Sequence, residues 1–567
     1  MERIIECVPN FSEGRNKEHI KIIGDAIAKA ANVSILNIDP GEATNRTVIT
    51  FTGSPEDVLE AAFQGVKCAA ELIDMRVHHG AHPRSGATDV LPLIPVAGIT
   101  LEECAELARQ LAKRIYKELG IACYCYEAAA YKPERKNLAV CRAGEYEALP
   151  EKMKNPDTRP DFAPETYDET MAQSGAINVG ARDFLIAVNF NLNTTSTRRA
   201  NAIAFDVREK GRPAREGNPI TGKIKLDENG NKIMIPGTLK GVKAIGWYID
   251  EYGIAQVSMN ITDINATPLH IAFEEVCRAA GRRGIRVTGT EIVGLVPKKT
   301  LIDAGKYFLA KQGRSCGIEE KEIIKIAIKS MGLDDLCPFI PEKKVIEYMM
   351  KPESVLAEEE KLIRMTCKNF AYETASESPA PGGGSVSAYM GALGTALGTM
   401  VANLSSHKPG WDDRWKEFSD WAEQGQTILT QLLTLVDEDT AAFNKIMAAL
   451  GLPKGSEEEK AVRHTALQEA TLYASQVPLR TMETAIEAFP ILKAMVLTGN
   501  PNSISDAGVG ALAIRSAILG AGMNVRINAA GLDDKDAKEK LIGRAKTLAA
   551  EAQALESEIL DIVNSKI

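Results

Sequence analysis

The 567-residue chain is predicted to fold as two ferredoxin-like α/β subdomains followed by an all-helical domain. Three observations predict this. Short β-rich runs and helical patterns follow the order β-α-β-β-α-β, and that order occurs twice before about residue 300. From Glu359 onward strands vanish and Ala-rich helical periodicity dominates. The chain is also too long for one core, at roughly 100–200 residues per domain.

In the first unit, Ile4–Val8 reads as a strand and Lys17–Ala31 as a helix. Val33–Ile38 and Thr47–Phe51 read as strands around a turn at Asp39-Pro40-Gly41. A helix over Glu56–Ile73 and the apolar run Val90–Val96 complete the unit. A helix over Leu101–Leu119 and a further strand extend it. The Pro-rich stretch Pro150–Pro164 then separates it from the second unit. There the strands are Phe184–Leu192, Val242–Ile249, Ala255–Ile261 and Arg286–Leu295, with helices over Thr197–Lys210 and Pro268–Arg282. The expected domains are 1–183, 184–350, a linker at 351–358 and a helical domain at 359–567.

The net charge of −9 argues against a nucleic-acid or membrane-surface binder, which carries a basic excess. The ten cysteines include no CxxC pair, so neither a disulfide framework nor a thiolate zinc site is expected, and a reducing cytoplasm fits. The N-terminus lacks the basic-then-apolar order of a signal peptide. The uncharged stretch Gly382–Ser406 is rich in Gly, Ser and Ala. Gly391, Gly394 and Gly398 there read as close contacts in a buried helix rather than as part of a membrane span.

The densest polar cluster runs from His78 to Asp89, with three of the seven histidines within five residues. His78 and His82 have the i, i+4 spacing of a helical zinc pair. Gly80 and Pro83 interrupt any helix, and no Glu occupies the general-base slot. Two further readings stand beside the metal: a polar loop with surface histidines, and a loop presenting one histidine as an acid/base group near neutral pH. Asp39 reads either as a cap of its own turn or as a carboxylate orienting a histidine. The loop Pro9–Arg15 has the Asn, Ser and backbone amides to bind a polar ligand.

Ser174-Gly175-Ala176-Ile177-Asn178-Val179-Gly180-Ala181-Arg182 reads as small, flexible and nearly uncharged, and its glycines would let a flat ligand approach the backbone. Between Arg198 and Lys243 there are 11 basic and 5 acidic residues. This reads as a solvated surface or as a strip attracting an anionic substrate. In the helix expected over Gln426–Leu450, Ile428, Leu432, Leu435, Ala442, Phe443, Ile446 and Leu450 form one stripe at roughly 100° per residue. Asp439 falls inside the stripe, and Asp437 lies about 160° away on the expected polar face. A carboxylate on an apolar face is either a structural hydrogen-bond partner or a general acid with raised pKa.

Several segments resemble known families. Glu6-Cys7-Val8-Pro9-Asn10-Phe11-Ser12-Glu13-Gly14-Arg15, His79-Gly80-Ala81-His82-Pro83-Arg84 and Gly246-Trp247-Tyr248 resemble the formiminotransferase family. Pro381-Gly382-Gly383-Gly384-Ser385-Val386, Leu435-Val436-Asp437-Glu438-Asp439 and Gly499-Asn500 resemble the formiminotetrahydrofolate cyclodeaminase family. They occur in the order of the bifunctional formimidoyltransferase-cyclodeaminase family. The resemblance implies transfer of a formimino group from N-formimino-L-glutamate to N5 of tetrahydrofolate. Cyclisation to 5,10-methenyltetrahydrofolate with loss of ammonia follows.

By the same resemblance His82 is the transferase catalytic histidine, Asp39 a nearby active-site carboxylate and Asp439 the cyclodeaminase aspartate. Residues Ser174–Arg182 are the folate-binding stretch, with tetrahydrofolate as co-substrate and no metal. It further implies a cytoplasmic homo-oligomer that can channel polyglutamylated folate. There are two departures. Arg212–Pro236 resembles an insertion, and Met400-Val401-Ala402-Asn403-Leu404 resembles methenyltetrahydrofolate cyclohydrolases. The alternative is therefore a transferase whose helical domain hydrolyses methenyl-folate or only binds folate and assembles.

Overall fold

The computed structural model describes residues 3–41, 45–79, 84–218, 222–249, 252–349 and 361–567. The chain separates into two compact units. One comprises Met1–Ala304 with Ile328–Pro352, the other Gly305–Ala327 with Glu353–Ile567.

The first unit opens with β1 (Ile4–Cys7), α1 (Lys17–Ala30), β2 (Ser34–Gly41), β3 (Arg46–Gly53), α2 (Pro55–Leu72) and β4 (Thr88–Ala97). Asn16, Ser54 and Thr100 cap the first helices through their side chains. Thr100 does so in a reciprocal capping box with Glu103 at the start of α3 (Leu101–Leu119), which Gly120 closes in the left-handed conformation. β5 (Ala122–Glu127) and β6 (Ala176–Ala181) follow. The sheet runs β2-β3-β1-β4-β6-β5. The first four strands are antiparallel, and β6 joins β4 and β5 in parallel. The four strands of the β-α-β-β-α-β unit thus take the interleaved order expected of a ferredoxin-like fold. Ile5, Cys7, Ile49, Phe51, Leu91, Leu93, Ile177 and Val179 point from one sheet face into a core with α1, α2 and α3.

The second sheet repeats the topology. β7 (Ile186–Leu192), α4 (Thr197–Val207), β8 (Val242–Ile249), β9 (Ile254–Ile261), α5 (Leu269–Gly281) and β10 (Val287–Val293) build an antiparallel sheet in the order β8-β9-β7-β10. The Arg212–Pro236 segment forms an arm. Arg212–Pro213 pairs with Met234–Ile235, and bridges join Arg215 to Ile224 and Leu226 to Lys232.

The expected turn at Asp39-Pro40-Gly41 is not a turn. β2 continues through it, with Asp39 opposite Val48, Pro40 opposite Thr47 and Gly41 opposite Arg46. Among the described residues β2 pairs only with β3, and an edge strand is where a sheet tolerates a proline.

The helical unit contains α6 (Gly383–Ser406), α7 (Trp415–Leu450), α8 (Glu457–Ile486), α9 (Phe489–Thr498), α10 (Ile504–Ala529) and α11 (Lys535–Lys566). A Cβ on Gly394 would lie 2.8 Å from the Gly510 carbonyl oxygen, so α6 and α10 meet backbone to backbone there. Segment Gly305–Ala327 groups with these helices. The Cys316 amide donates to Ser419 Oγ at 2.9 Å, and Asn403 Nδ2 donates to the Gly317 carbonyl at 2.8 Å. Among the described residues one helix, Pro501–Ala529, is long and apolar enough to cross a membrane. Half of its most apolar window is buried in the protein.

Candidate functional sites

Strand alternation gives the first sheet two different faces. Positions between the core residues point away from the helices and carry Glu6, Asn10, Arg46, Asn178 and Arg182. Asp89 organises this face. It accepts from Arg46 Nη1 at 2.8 Å, from Arg142, and from the Ser85 amide at 2.9 Å. Arg46 also forks onto Asn10 Oδ1 at 3.0 and 2.5 Å. Two guanidinium groups thus share one carboxylate.

Residues 174–182 are not a flexible segment. Ala176–Ala181 is β6, buried throughout between β4 and β5. Ser174 is buried at its head, and Gly175 has φ 70° because Ser85 and Gly86 press against it. The small residues admit neighbouring chain: a Cβ on Gly180 would lie 2.5 Å from the Tyr126 ring. Asn178 is fully buried and donates to the Asp89 carbonyl at 2.9 Å. Arg182 follows the strand beside Glu6. Burial pushes the Glu6 carboxyl up to about 7, with the Arg182 charge opposing.

That shift has a sign. Glu6 is least costly when protonated, so its contribution is fully present below its ordinary value of 4.5 and is lost as pH rises to about 7. Glu6→Gln is expected to stabilise the protein at pH 8 by about 3 kcal/mol and to change it little below pH 4.5. Thermal melts at the two pH values check this. Equal differences at both would show that Glu6 is not the titrating group.

Asp39 is exposed on edge strand β2. Residues 80–83, and with them His82, lie outside the described residues. The described residues on either side are held in place. His78 is buried rather than a surface histidine, with Nε2 3.0 Å from the Asn45 carbonyl oxygen and Nδ1 3.5 Å from Arg84 Nε. Burial lowers its pKa, and these partners suit the neutral ring. Arg84 reaches Glu147 at 2.6 Å and Glu145 at 2.9 Å, and Asn45 Nδ2 donates to the His79 carbonyl at 3.0 Å. Among the described residues no three His, Cys, Asp or Glu side chains gather as a metal site would require.

The second sheet holds a polar network that the sequence reading missed. Glu291 accepts from Asn189 at 3.0 Å and from Gln256 at 3.3 Å. Gln256 also donates to Asn191 at 2.8 Å and accepts from Trp247 Nε1 at 3.0 Å. This fixes the partly exposed Trp247 ring of the Gly246-Trp247-Tyr248 segment. The missed signal was alternation: Asn189 and Asn191 sit between Val188, Phe190 and Leu192 on one strand.

In the helical unit, Asp439 of α7 meets the N-terminus of α6. Its Oδ2 accepts from Ser385 Oγ at 2.8 Å. A Cβ on Gly384 would lie 2.1 Å from Asp439 Oδ1, so only glycine leaves room for the carboxyl. Burial raises the Asp439 pKa, while the side chain and backbone amide of Ser385 oppose the rise. The neighbouring Glu438 is occupied by Tyr473 Oη at 2.6 Å and by Arg480.

Asp437 departs from expectation. It is buried, not on a polar face, and accepts the Leu362 amide N–H at 2.7 Å. A single-stripe reading fails because α7 is covered on more than one side, by α6, by α8 and by the turn at Leu362–Arg364. Asp437→Ala is therefore expected to destabilise the helical unit by about 2 kcal/mol, since a buried N–H loses a charged acceptor. Asp437→Asn, which keeps an acceptor oxygen, should cost less. Denaturant titration measures both, and an Asp437→Ala variant as stable as the parent would exclude this role.

The comparisons with known proteins follow the same division. Residues 4–182 match the formiminotransferase domain, N-terminal subdomain; residues 187–351 match the formiminotransferase domain; residues 366–547 match the formiminotransferase-cyclodeaminase family. Formimidoyltransferase-cyclodeaminase of Sus scrofa is 40% identical over 567 residues, covering 100% of both chains. The chain belongs to the formimidoyltransferase-cyclodeaminase family. Its halves also have separate relatives. Glutamate formimidoyltransferase of Thermoplasma acidophilum is 40% identical over 57% of this chain and 98% of its own length. Methenyltetrahydrofolate cyclohydrolase of Methylorubrum extorquens is 37% identical over 36% of this chain and 97% of its own length. The family assignment thus spans both α/β subdomains and the helical unit that carries Asp439.

Proposed function

We propose that this chain transfers the formimino group of N-formimino-L-glutamate to N5 of tetrahydrofolate, then cyclises 5-formiminotetrahydrofolate to 5,10-methenyltetrahydrofolate with release of ammonia. Tetrahydrofolate is the co-substrate. In the first step N5 attacks the formimino carbon, forming one C–N bond while the bond to the glutamate nitrogen breaks. A proton leaves N5 and another reaches the departing amine. His82 carries both transfers, with Asp39 orienting it. The Arg46 and Arg142 guanidinium groups around Asp89 offer N–H donors to a glutamate carboxylate, and from residues 174–182 the half-buried Arg182 meets the folate.

In the second step N10 closes on the same carbon, which the substrate already holds close. N10 gives up its proton, Asp439 supplies another to the former imine nitrogen, and the carbon–nitrogen bond breaks so that this nitrogen leaves as ammonia. The observation that carries this assignment is the half-buried Asp439 carboxyl, seated against Gly384 and held by Ser385, with its pKa raised. The protein works in the cytoplasm as a homo-oligomer. Support for self-association comes from exposed apolar residues on two packed helices: Leu393 and Leu404 on α6, Val509, Met523 and Ile527 on α10.

Similarity of the helical unit to a methenyltetrahydrofolate cyclohydrolase supports one other reading, in which that unit hydrolyses methenyl-folate. A single assay separates the two. Purified protein is mixed with N-formimino-L-glutamate and tetrahydrofolate, and methenyl absorbance and ammonia are followed together. Equal appearance of both is expected. Glutamate release without ammonia would leave only the transferase.

A further inference from the structure

We infer that Ser385 is a positioning residue for the cyclodeaminase step: its hydroxyl fixes the Asp439 carboxyl at the α6 N-terminus and keeps its proton transferable. This rests on the reading of Asp439 as the general acid. Ser385 is fully buried and its Oγ donates to Asp439 Oδ2 at 2.8 Å. Its backbone amide addresses the same carboxyl. Gly384 seats the carboxyl from the other side. Three consecutive features of one motif therefore converge on one side chain.

The surroundings leave Ser385 as the tuning group. α6 contains no charged residue, and Tyr389 is its one titratable group. On α7 itself, Asp437 is engaged by Leu362 and Glu438 by Tyr473 and Arg480 of α8. The turn at Leu362–Arg364 brings Arg364, and α9 brings Lys493, which is paired with Glu558. None of these charges contributes to the Asp439 shift, which burial sets and Ser385 opposes. Burial alone raises the Asp439 pKa. Donation from Ser385 favours the ionised form, and so the acid can release its proton to the departing nitrogen.

The test is the pH profile of kcat for ammonia release from supplied 5-formiminotetrahydrofolate by the full-length protein. Ser385→Ala is expected to lower kcat about ten- to hundredfold with KM nearly unchanged. It should also move the limb that reports deprotonation of the acid about one pH unit upward. Ser385→Cys keeps a weak donor of similar size, so its limb should fall between the two. Formimino transfer by the first unit should be unchanged in both variants. A limb that stays in place in Ser385→Ala, whether or not kcat falls, overturns the inference. Ammonia release surviving in Asp439→Asn would instead remove the reading on which it rests. An inactive Asp439→Asn beside an unshifted Ser385→Ala would remove this inference alone.

Discussion

Asp439→Asn is expected to stop ammonia release while formimino transfer continues. Asparagine keeps the size of the side chain and an oxygen to accept from Ser385 Oγ, so the seat against Gly384 is preserved. What it loses is the transferable proton. Positioned general acids are worth roughly 10²–10⁴-fold, and the rate of cyclisation should fall by that much. The mixture should accumulate glutamate and 5-formiminotetrahydrofolate with little methenyl absorbance. The informative comparison is Asp437→Asn. That change touches a buried carboxylate that holds the Leu362 amide, so it should affect stability more than catalysis. If Asp437→Asn blocks ammonia release in a folded protein and Asp439→Asn does not, the assignment is reversed.

The second large effect is expected at His82. His82→Ala should lower formimino transfer by roughly 10²–10⁴-fold, the usual worth of a positioned acid/base group. Cyclisation of supplied 5-formiminotetrahydrofolate should continue, because the chemistry proposed for that step lies in the helical unit. His78→Ala acts differently. His78 is buried between the Asn45 carbonyl and Arg84, so its loss removes a packed hydrogen-bond partner instead of a proton carrier. It is expected to lower thermal stability along with transfer. Transfer that collapses with chelator and returns with zinc would replace the acid/base role by a metal site.

Much of the architecture was legible because its signals are local. The β-α-β-β-α-β order is written twice in runs of alternating and helical periodicity, and caps at Asn16, Ser54 and Thr100 mark helix starts. The Leu101–Leu119 helix coincides with its expected bounds because a capping box opens it and Gly120 closes it. Asp439 stands out for a related reason, because a carboxylate inside an apolar stripe is visible on a helical projection, but that projection misplaced Asp437, which is the more buried of the two. Asp39-Pro40-Gly41 misled, because proline and glycine signal a turn wherever the chain is read locally. Only the pairing with Thr47, Val48 and Arg46 shows that the strand runs on.

The sequence by itself determined the fold class, the division into α/β and helical parts, the family and the residues to suspect. Each of these depends on periodicity or on contiguous motifs. The tertiary structure decided which suspects share an environment. Asp89 gathers Arg46 and Arg142 from 43 and 53 positions away, and Glu291 gathers Asn189 from 102 away. It also decided that 174–182 contains a buried central strand, and that Asp437 is buried while Leu450 of the expected stripe is exposed. The physical reason is the same in each case. Burial and charge pairing are set by what packs against an element from elsewhere in the chain, and no local period records how many sides of a helix or strand will be covered.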